Sequence, residues 1–404
     1  MQYSFIMMNP RIASMRPYSA ARKTQLFSKL TRPVVADLTI GEPQHQPDPR
    51  VEQILHEHAA QSLGKYPKTR QESFLTQAII EAAQASKLLP GDISEGQVLA
   101  GCGSGELLFS FVFASLHPDK PYVLIPNPAY QVYSSATELA GGIPYYFNLT
   151  KDRGFQPDLT EVPREVLART SLCFINSPNN PCGVSYSEES LRSLVLLARQ
   201  HDFALASDEC YSELYFSDKP KSVLEICAGL DGQNTFSHVV AFDTLSKRSS
   251  LAGLRSGALI GDELLVTNYL KMRLSERKVL PLNVQRASAF AWTNYQDVER
   301  NRLLYREKWE LARELYRVLG QEELMPGSTF YCWLDISALN EDDEAFSLSL
   351  AQETGVLAYP GSYFSVAQHG VNPGRGFIRL ALIDTVGNTR DTLRVVADFV
   401  RNYR

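Results

Sequence analysis

Four short segments of this 404-residue chain carry residue types that could do chemistry together. Lys247 lies in Ser246-Lys247-Arg248-Ser249-Ser250-Leu251-Ala252-Gly253-Leu254-Arg255-Ser256-Gly257, which sets a hydroxyl, an amine and a guanidinium at fixed offsets around a glycine. An amine can attack a carbonyl or carry a proton, and a guanidinium fork beside a hydroxyl suits a phosphate or carboxylate. Asp208 opens Asp208-Glu209-Cys210-Tyr211, and Ser177-Pro178-Asn179-Asn180-Pro181 forms a polar turn; both follow apolar runs. Gly101-Cys102-Gly103-Ser104-Gly105 precedes a helical pattern. A glycine-rich turn that opens a helix offers free backbone N–H groups and the positive end of the helix dipole, a good seat for a phosphate.

Taken singly, each segment has a plainer explanation: an ordinary tight turn, a helix cap, a solvated surface lysine. Their joint occurrence in this chain order is what specifies a site. The glycine turn is not a dinucleotide fingerprint, since its third glycine would fall at Glu106 or Leu108. It lacks the G-K-[ST] of a phosphate-binding loop, and Cys102 stands where a G-x-S-x-G serine elbow needs glycine.

The elements that must position these residues alternate helix-like stretches with short β-branched and aromatic runs, which predicts an α/β fold with a mostly parallel sheet between helices. Seven strands are expected at Gln97-Ala100, Pro121-Pro126, Ile143-Phe147, Leu172-Asn176, Phe203-Ser207, Val239-Phe242 and Ser256-Ile260. Helices are expected at Gly105-Leu116, Tyr130-Ala140 and Glu188-His201, the last with Leu191, Leu194, Val195 and Ala198 at spacings of three and four. In open parallel sheets ligands bind beyond the carboxyl ends of strands, where the four segments fall. A long helical stretch from about Asn283 to Leu319 leads into a smaller α+β unit. Its strands are expected at Thr329-Leu334, Val356-Tyr359 and Gly376-Leu382, its helices at Asp343-Thr354 and Asn388-Asn402. The expected division is a large domain over 46–290 and a small one from 291–404 with 1–45 as an N-terminal arm.

Net charge of -5 and dispersed Lys and Arg point away from nucleic acid and membrane surfaces, and toward a small-molecule partner. Six cysteines without a C-x-x-C pair fit reduced thiols, and His56 and His58 lack the spacing and companions of a metal site. No apolar run approaches the roughly 18 residues of a membrane span. A cytoplasmic location is the expectation.

On Lys247, Asp208, Tyr211, the Pro178–Pro181 turn and Arg255, the chain resembles the class I and II aminotransferases of fold type I, which use pyridoxal 5′-phosphate (PLP), over nearly its whole length. The resemblance implies that Lys247 bonds covalently to PLP and then shuttles the proton between the substrate Cα and C4′ of the cofactor. It implies that Asp208 pairs with the pyridine nitrogen, that Tyr211 and Asn180 bond the ring O3′, and that Tyr130 stacks on the ring. The phosphate would be held by the N–H groups of Ser104 and Gly105, the Ser246 hydroxyl and Arg255. Tyr66 would reach the phosphate of a second subunit, so a homodimer is expected. Arg379 would bind the substrate α-carboxylate, helped by the backbone of Gly41.

A narrower likeness, to bacterial succinyldiaminopimelate aminotransferases, rests on Tyr359-Pro360-Gly361-Ser362-Tyr363-Phe364, His369 to Gly374, Phe377-Ile378-Arg379, Lys65-Tyr66-Pro67-Lys68-Thr69 and Met8-Asn9-Pro10-Arg11. It implies glutamate and 2-oxoglutarate as amino-group partners in a ping-pong reaction, with Met1 to Met7 a non-catalytic extension. Arg16, Lys23 and Met272-Lys278 are candidate partners for the distal carboxylates from their basic residues alone. Gln71, Gly105 and Cys182 depart from that pattern, where glycine, arginine and threonine are usual. The rival enzymes are an aspartate- or aromatic-type aminotransferase and a β-lyase. A non-catalytic sensing module of the same fold is disfavoured by the intact Lys247 and by only about forty residues before the sheet, without a helix-turn-helix pattern.

Overall fold

The computed structural model describes residues 9–403 apart from 65, 69 and 369, with the side chains of 13 and 14 also outside the description. Met1 to Met8, Lys65, Thr69 and His369, used in the likeness above, therefore lie outside the described residues.

A seven-stranded sheet is formed by β1 (Val98–Gly101), β2 (Tyr122–Asn127), β3 (Ile143–Asn148), β4 (Thr170–Asn176), β5 (Ala204–Asp208), β6 (Val239–Thr244) and β7 (Gly257–Gly261). The spatial order is β1-β7-β6-β5-β4-β2-β3. Only β7 is antiparallel, to both β6 and β1. All seven residues of β4 are buried, as expected of a strand covered on both faces. Its side chains alternate between two cores, with Leu172 and Phe174 in one and Cys173 and Ile175 in the other.

Register places the functional segments. Asn176 stands opposite Asp208, and Asp208 opposite Phe242, so the carboxyl ends of β4, β5 and β6 are flush. Gly257 stands opposite both Gly101 and Thr244, which brings the glycine turn beside the segment that carries Lys247. A Cβ on Gly257 would come within 2.6 Å of the Ser104 backbone nitrogen, so the close approach requires glycine.

The helices that matter below are α1 (Ser19–Leu26), α2 (Ser104–Ser115), α3 (Val132–Ala140), α4 (Glu188–His201), α5 (Leu245–Arg248), α6 (Leu282–Thr293), α7 (Tyr295–Val318), α8 (Asp343–Thr354) and α9 (Val386–Asn402). Helix α4 shows why its sequence folds this way. Ser187 caps its start, Glu188 and Glu189 occupy the first turn, Arg199 and His201 the last, and Leu191, Leu194, Val195 and Ala198 are its buried face.

The smaller unit has three antiparallel strands, β8 (Tyr331–Asp335), β9 (Tyr359–Pro360) and β10 (Phe377–Ala381), in the order β9-β10-β8. Its core joins Trp309 and Leu315 of α7, Phe346 of α8 and Val396 of α9. Two expectations need correction. The single helical stretch from Asn283 to Leu319 breaks at Asn294, whose side chain accepts from the Asp297 N–H and so starts α7 afresh. The strand expected at Val356-Tyr359 divides, because Val356–Leu357 pairs in parallel with Ala36–Asp37 while Tyr359–Pro360 pairs with β10.

Candidate active site

A cavity of about 440 Å³ lies beyond the carboxyl ends of β4 to β6. It collects Gly41, Ser104, Gly105, Tyr130, Asn180, Asp208, Tyr211, Ser246, Lys247, Arg255 and Arg379. Of the residues expected at the site only Tyr66 lies elsewhere, and its side chain is fully exposed (100 %).

One wall is an anion cradle. Helix α2 starts at Ser104 after Gly103, whose φ of 91° is left-handed and which offers no side chain to the first N–H groups. Arg255 reaches back to this turn, with Nη2 3.4 Å from the Cys102 carbonyl and Nη1 3.0 Å from the Ala252 carbonyl. A Cβ on Gly103 would meet the guanidinium at 2.8 Å. The Ser246 hydroxyl lines the cavity 3.0 Å from Thr244 Oγ1, whose one proton also has the Ser256 carbonyl as an acceptor at 3.1 Å. Helix N–H groups, a hydroxyl and a guanidinium form the donor set a phosphate monoester requires.

Asp208, 5 % exposed, is the buried anion of the site. Burial pushes its carboxyl above the ordinary value, while hydrogen bonds from the Cys210 N–H (3.2 Å) and the Tyr133 hydroxyl (2.6 Å) favour the ionised form. No salt bridge to Asp208 occurs among the described residues. A protonated ring nitrogen is the counter-charge this carboxylate lacks. Tyr133, fully buried on α3 and stacked on Phe174 at 4.6 Å, is a site residue that sequence reasoning missed. The only signal for it was its place one turn after Tyr130.

Tyr211 hydrogen-bonds the Tyr331 hydroxyl at 3.1 Å, and burial raises its phenol well above the usual range, so it enters the site protonated. Lys247 projects from α5, and its Nζ donates to the Gly41 carbonyl. Gly41 is needed there because a Cβ would run into the Tyr331 hydroxyl.

Arg379, 4 % exposed on β10, donates from Nη1 to Asn180 Oδ1 (2.9 Å) and from Nη2 to the Thr39 carbonyl (2.6 Å). Its Nε is buried without a partner among the described residues. Two of five donor hydrogens are thus used, and the fork retains donors for a carboxylate. The rings of Tyr331 and Phe364 lie 4.1 and 4.4 Å from its Cζ.

The candidates for distal groups sort apart. Lys23 lines the cavity, paired with Asp37 at 2.5 Å. Arg16 does not line it; its fork holds the Ser365 and Ser362 carbonyls at 2.6 and 3.1 Å. In the 272–278 segment Arg273 is buried against Glu106 and Tyr269, outside the cavity. The three sequence departures are accommodated. Gln71 bonds Thr76 and the Val98 carbonyl, a Cβ on Gly105 would sit 3.5 Å from the Tyr130 hydroxyl, and Cys182 is buried with its N–H on Asn179. Among the described residues no cluster of His, Cys, Asp or Glu could hold a metal, and no helix is long and apolar enough to cross a membrane.

An amine, a buried carboxylate and an anion cradle at the carboxyl ends of a mostly parallel sheet define a fold type I PLP site, and the residues present fit that cofactor. Residues 33–397 match the family described as aminotransferase class I and II. The chain is 33 % identical over 290 residues to the LL-diaminopimelate aminotransferase of Syntrophobacter fumaroxidans, covering 71 % of each. It is 29 % identical over 371 residues to the aspartate aminotransferase of Thermotoga maritima, covering 91 % of this chain and 92 % of the other. An aminotransferase of known structure from Neisseria meningitidis Z2491 superposes with a TM-score of 0.89 at 34 % identity, over 98 % of this chain and 100 % of that one. The chain belongs to the class I and II aminotransferases, and its cofactor is PLP.

Proposed function

We propose that this aminotransferase moves an amino group between glutamate and N-succinyl-2-amino-6-oxopimelate, a step of diaminopimelate and lysine synthesis. The observation that carries the reading is the pairing, in one aromatic-lined cavity, of a buried guanidinium with donors to spare, Arg379, and a second cation, Lys23. That set suits a substrate with more than one carboxylate. The motifs around Tyr359–Phe364 and Phe377–Arg379 favour the succinylated substrate. A second reading, direct use of LL-diaminopimelate, is favoured by the name of the Syntrophobacter relative.

When bound, PLP supplies an electron sink for the carbanion formed at the substrate Cα. Arg379 holds the α-carboxylate and so fixes where the Cα–H bond points. Lys247 would hold the cofactor covalently, and its Nζ, freed from that bond, would be the base that takes the proton from the substrate Cα and the acid that delivers it to C4′ of the cofactor. Asp208 would pair with the ring nitrogen and keep it protonated, with Tyr133 and the Cys210 N–H holding its carboxylate in place. Tyr211 and Asn180 would bond the ring oxygen, Tyr130 would cover the ring face, and the α2 N-terminus with Ser246 and Arg255 would hold the phosphate. The exposure of Tyr66 and of Leu63 beside it (88 %) supports a homodimer in which Tyr66 serves the partner's site.

The test is a set of steady-state rates with glutamate as donor and the succinylated keto acid as acceptor, beside the reverse reaction with LL-diaminopimelate, aspartate, aromatic amino acids and kynurenine. The expected outcome is the highest kcat/KM for the succinylated pair. A clear preference for aspartate or an aromatic amino acid removes the assignment, and a preference for LL-diaminopimelate selects the second reading.

A further inference from the structure

Outside the cavity, a partly buried string of hydrogen bonds runs from α7 to the segment that carries Lys247. Lys308, 0 % exposed, sets its Nζ 2.7 Å from His45 Nε2 and 3.0 Å from the Leu382 carbonyl. His45 Nδ1 lies 2.7 Å from Asn301 Oδ1. Asn301 Nδ2 donates to the main-chain carbonyls of Lys247 (3.1 Å) and Arg248 (3.0 Å). Residues 301 and 308 are seven apart, two turns along one face of α7.

The donors and acceptors run in one direction. With the Asn301 amide nitrogen engaged by two carbonyls, its oxygen faces His45, so Nδ1 must carry the imidazole proton. Nε2 is then an acceptor, and Lys308, which has only donors, is the group that meets it. No carboxylate forms a salt bridge with Lys308 among the described residues, and burial lowers its amine to about 7. A lysine buried at such cost is rare without a specific partner.

The string ends on a point that lacks support of its own. Helix α5 has only four residues, so its last carbonyls have no following turn to bond them. Asn301 takes two of these, one belonging to Lys247 itself. The Lys247 amine, meanwhile, is held by the carbonyl of Gly41, four residues before His45. One stretch of chain, 41–45, therefore grips this lysine at both ends, directly at Nζ and through Asn301 at the main chain.

We propose that His45 and Asn301 are positioning residues for Lys247, anchored by the buried amine of Lys308. They fix the main chain beneath the lysine and thereby the place its Nζ takes against cofactor and substrate. The inference rests on Lys247 being the cofactor lysine.

The test compares the wild type with His45→Phe, Asn301→Ala and Tyr305→Phe, each loaded with PLP. Tyr305 packs on His45 at 4.8 Å between ring centres, but its hydroxyl has no partner among the described residues, so Tyr305→Phe perturbs the neighbourhood without touching the string. The pH midpoint of the visible cofactor absorption is measured together with kcat and KM for glutamate. His45→Phe and Asn301→Ala are expected to shift the midpoint by about one unit and to lower kcat about tenfold with KM nearly unchanged; Tyr305→Phe should match the wild type. His45→Gln, which offers an acceptor and a donor on one amide, should restore most of both. Folded variants at His45 and Asn301 with the wild-type midpoint and kcat would overturn the proposal, as would a Gln variant as impaired as Phe. Persistence of the wild-type absorption in Lys247→Ala would instead remove the assignment of the cofactor lysine.

Discussion

The floor of the cavity and its N-terminal side are built on opposite plans. On the floor, Asp208, Tyr211, Asn180 and Ser246 are each under a tenth exposed, and they stand at the ends of strands whose register fixes them relative to one another. The N-terminal side is α1 and the residue before it. Tyr18 is 47 % exposed, and α1 has eight residues of which none is buried. A floor held by a sheet between two cores keeps one geometry for the chemistry common to many substrates. A thin layer laid over it can change without disturbing that geometry, which is where selection among substrates belongs.

The sharpest way to break this contrast is at the floor. Lys247→Ala is expected to lower transamination by about a thousandfold or more, because proton transfer at Cα loses its carrier. Single-turnover conversion with glutamate would measure it, and a loss of only a few-fold would move the chemistry to another group. On the N-terminal side, Lys23→Ala should leave the cofactor absorption unchanged while lowering kcat/KM for the diaminopimelate-type substrate about tenfold more than that for alanine. Equal losses for both substrates would show that α1 acts on the floor and not on selection.

The smallest effect lies beneath the floor, at Lys308. Its amine is lowered from the ordinary 10.5 to about 7 by burial. Between those values the unfolded chain binds the proton that the folded chain sheds, so this group makes stability rise with pH from about 7 toward 10.5, and its penalty is full below 7. Urea unfolding at several pH values should show that rise flattened in Lys308→Met. An unchanged slope would mean that the amine keeps its charge inside the protein.

The same contrast explains what could be read in advance. All seven strands of the large sheet and the motifs at their ends were legible, because β-branched runs, glycine turns and a Lys–Arg spacing are local signals. Tyr331, His45 and Asn301 carried none, and Tyr133 had only its place one turn after Tyr130. Tyr133 reads as one more apolar position of a helix, and the bond from His45 to Asn301 joins residues 256 apart that only the docking of α7 brings together. Arg16 and the 272–278 segment were picked for charge alone, and charge does not say which carbonyl or carboxylate a side chain will find first. The break at Asn294 was missed because a capping asparagine inside a long amphipathic run looks like any other polar position.

The reversal of β7 bears on the order in which the site comes together during folding. The turn from β6 through α5 into β7 joins neighbours in sequence, so Lys247 and Arg255 can be set by an early, local event. The glycine turn reaches them only when β1 pairs with β7 across about 150 residues of intervening chain, a slow closure. That difference in contact order predicts that the lysine segment is set before the anion cradle, so that in refolding, tight capture of PLP should appear only with the docking of β1.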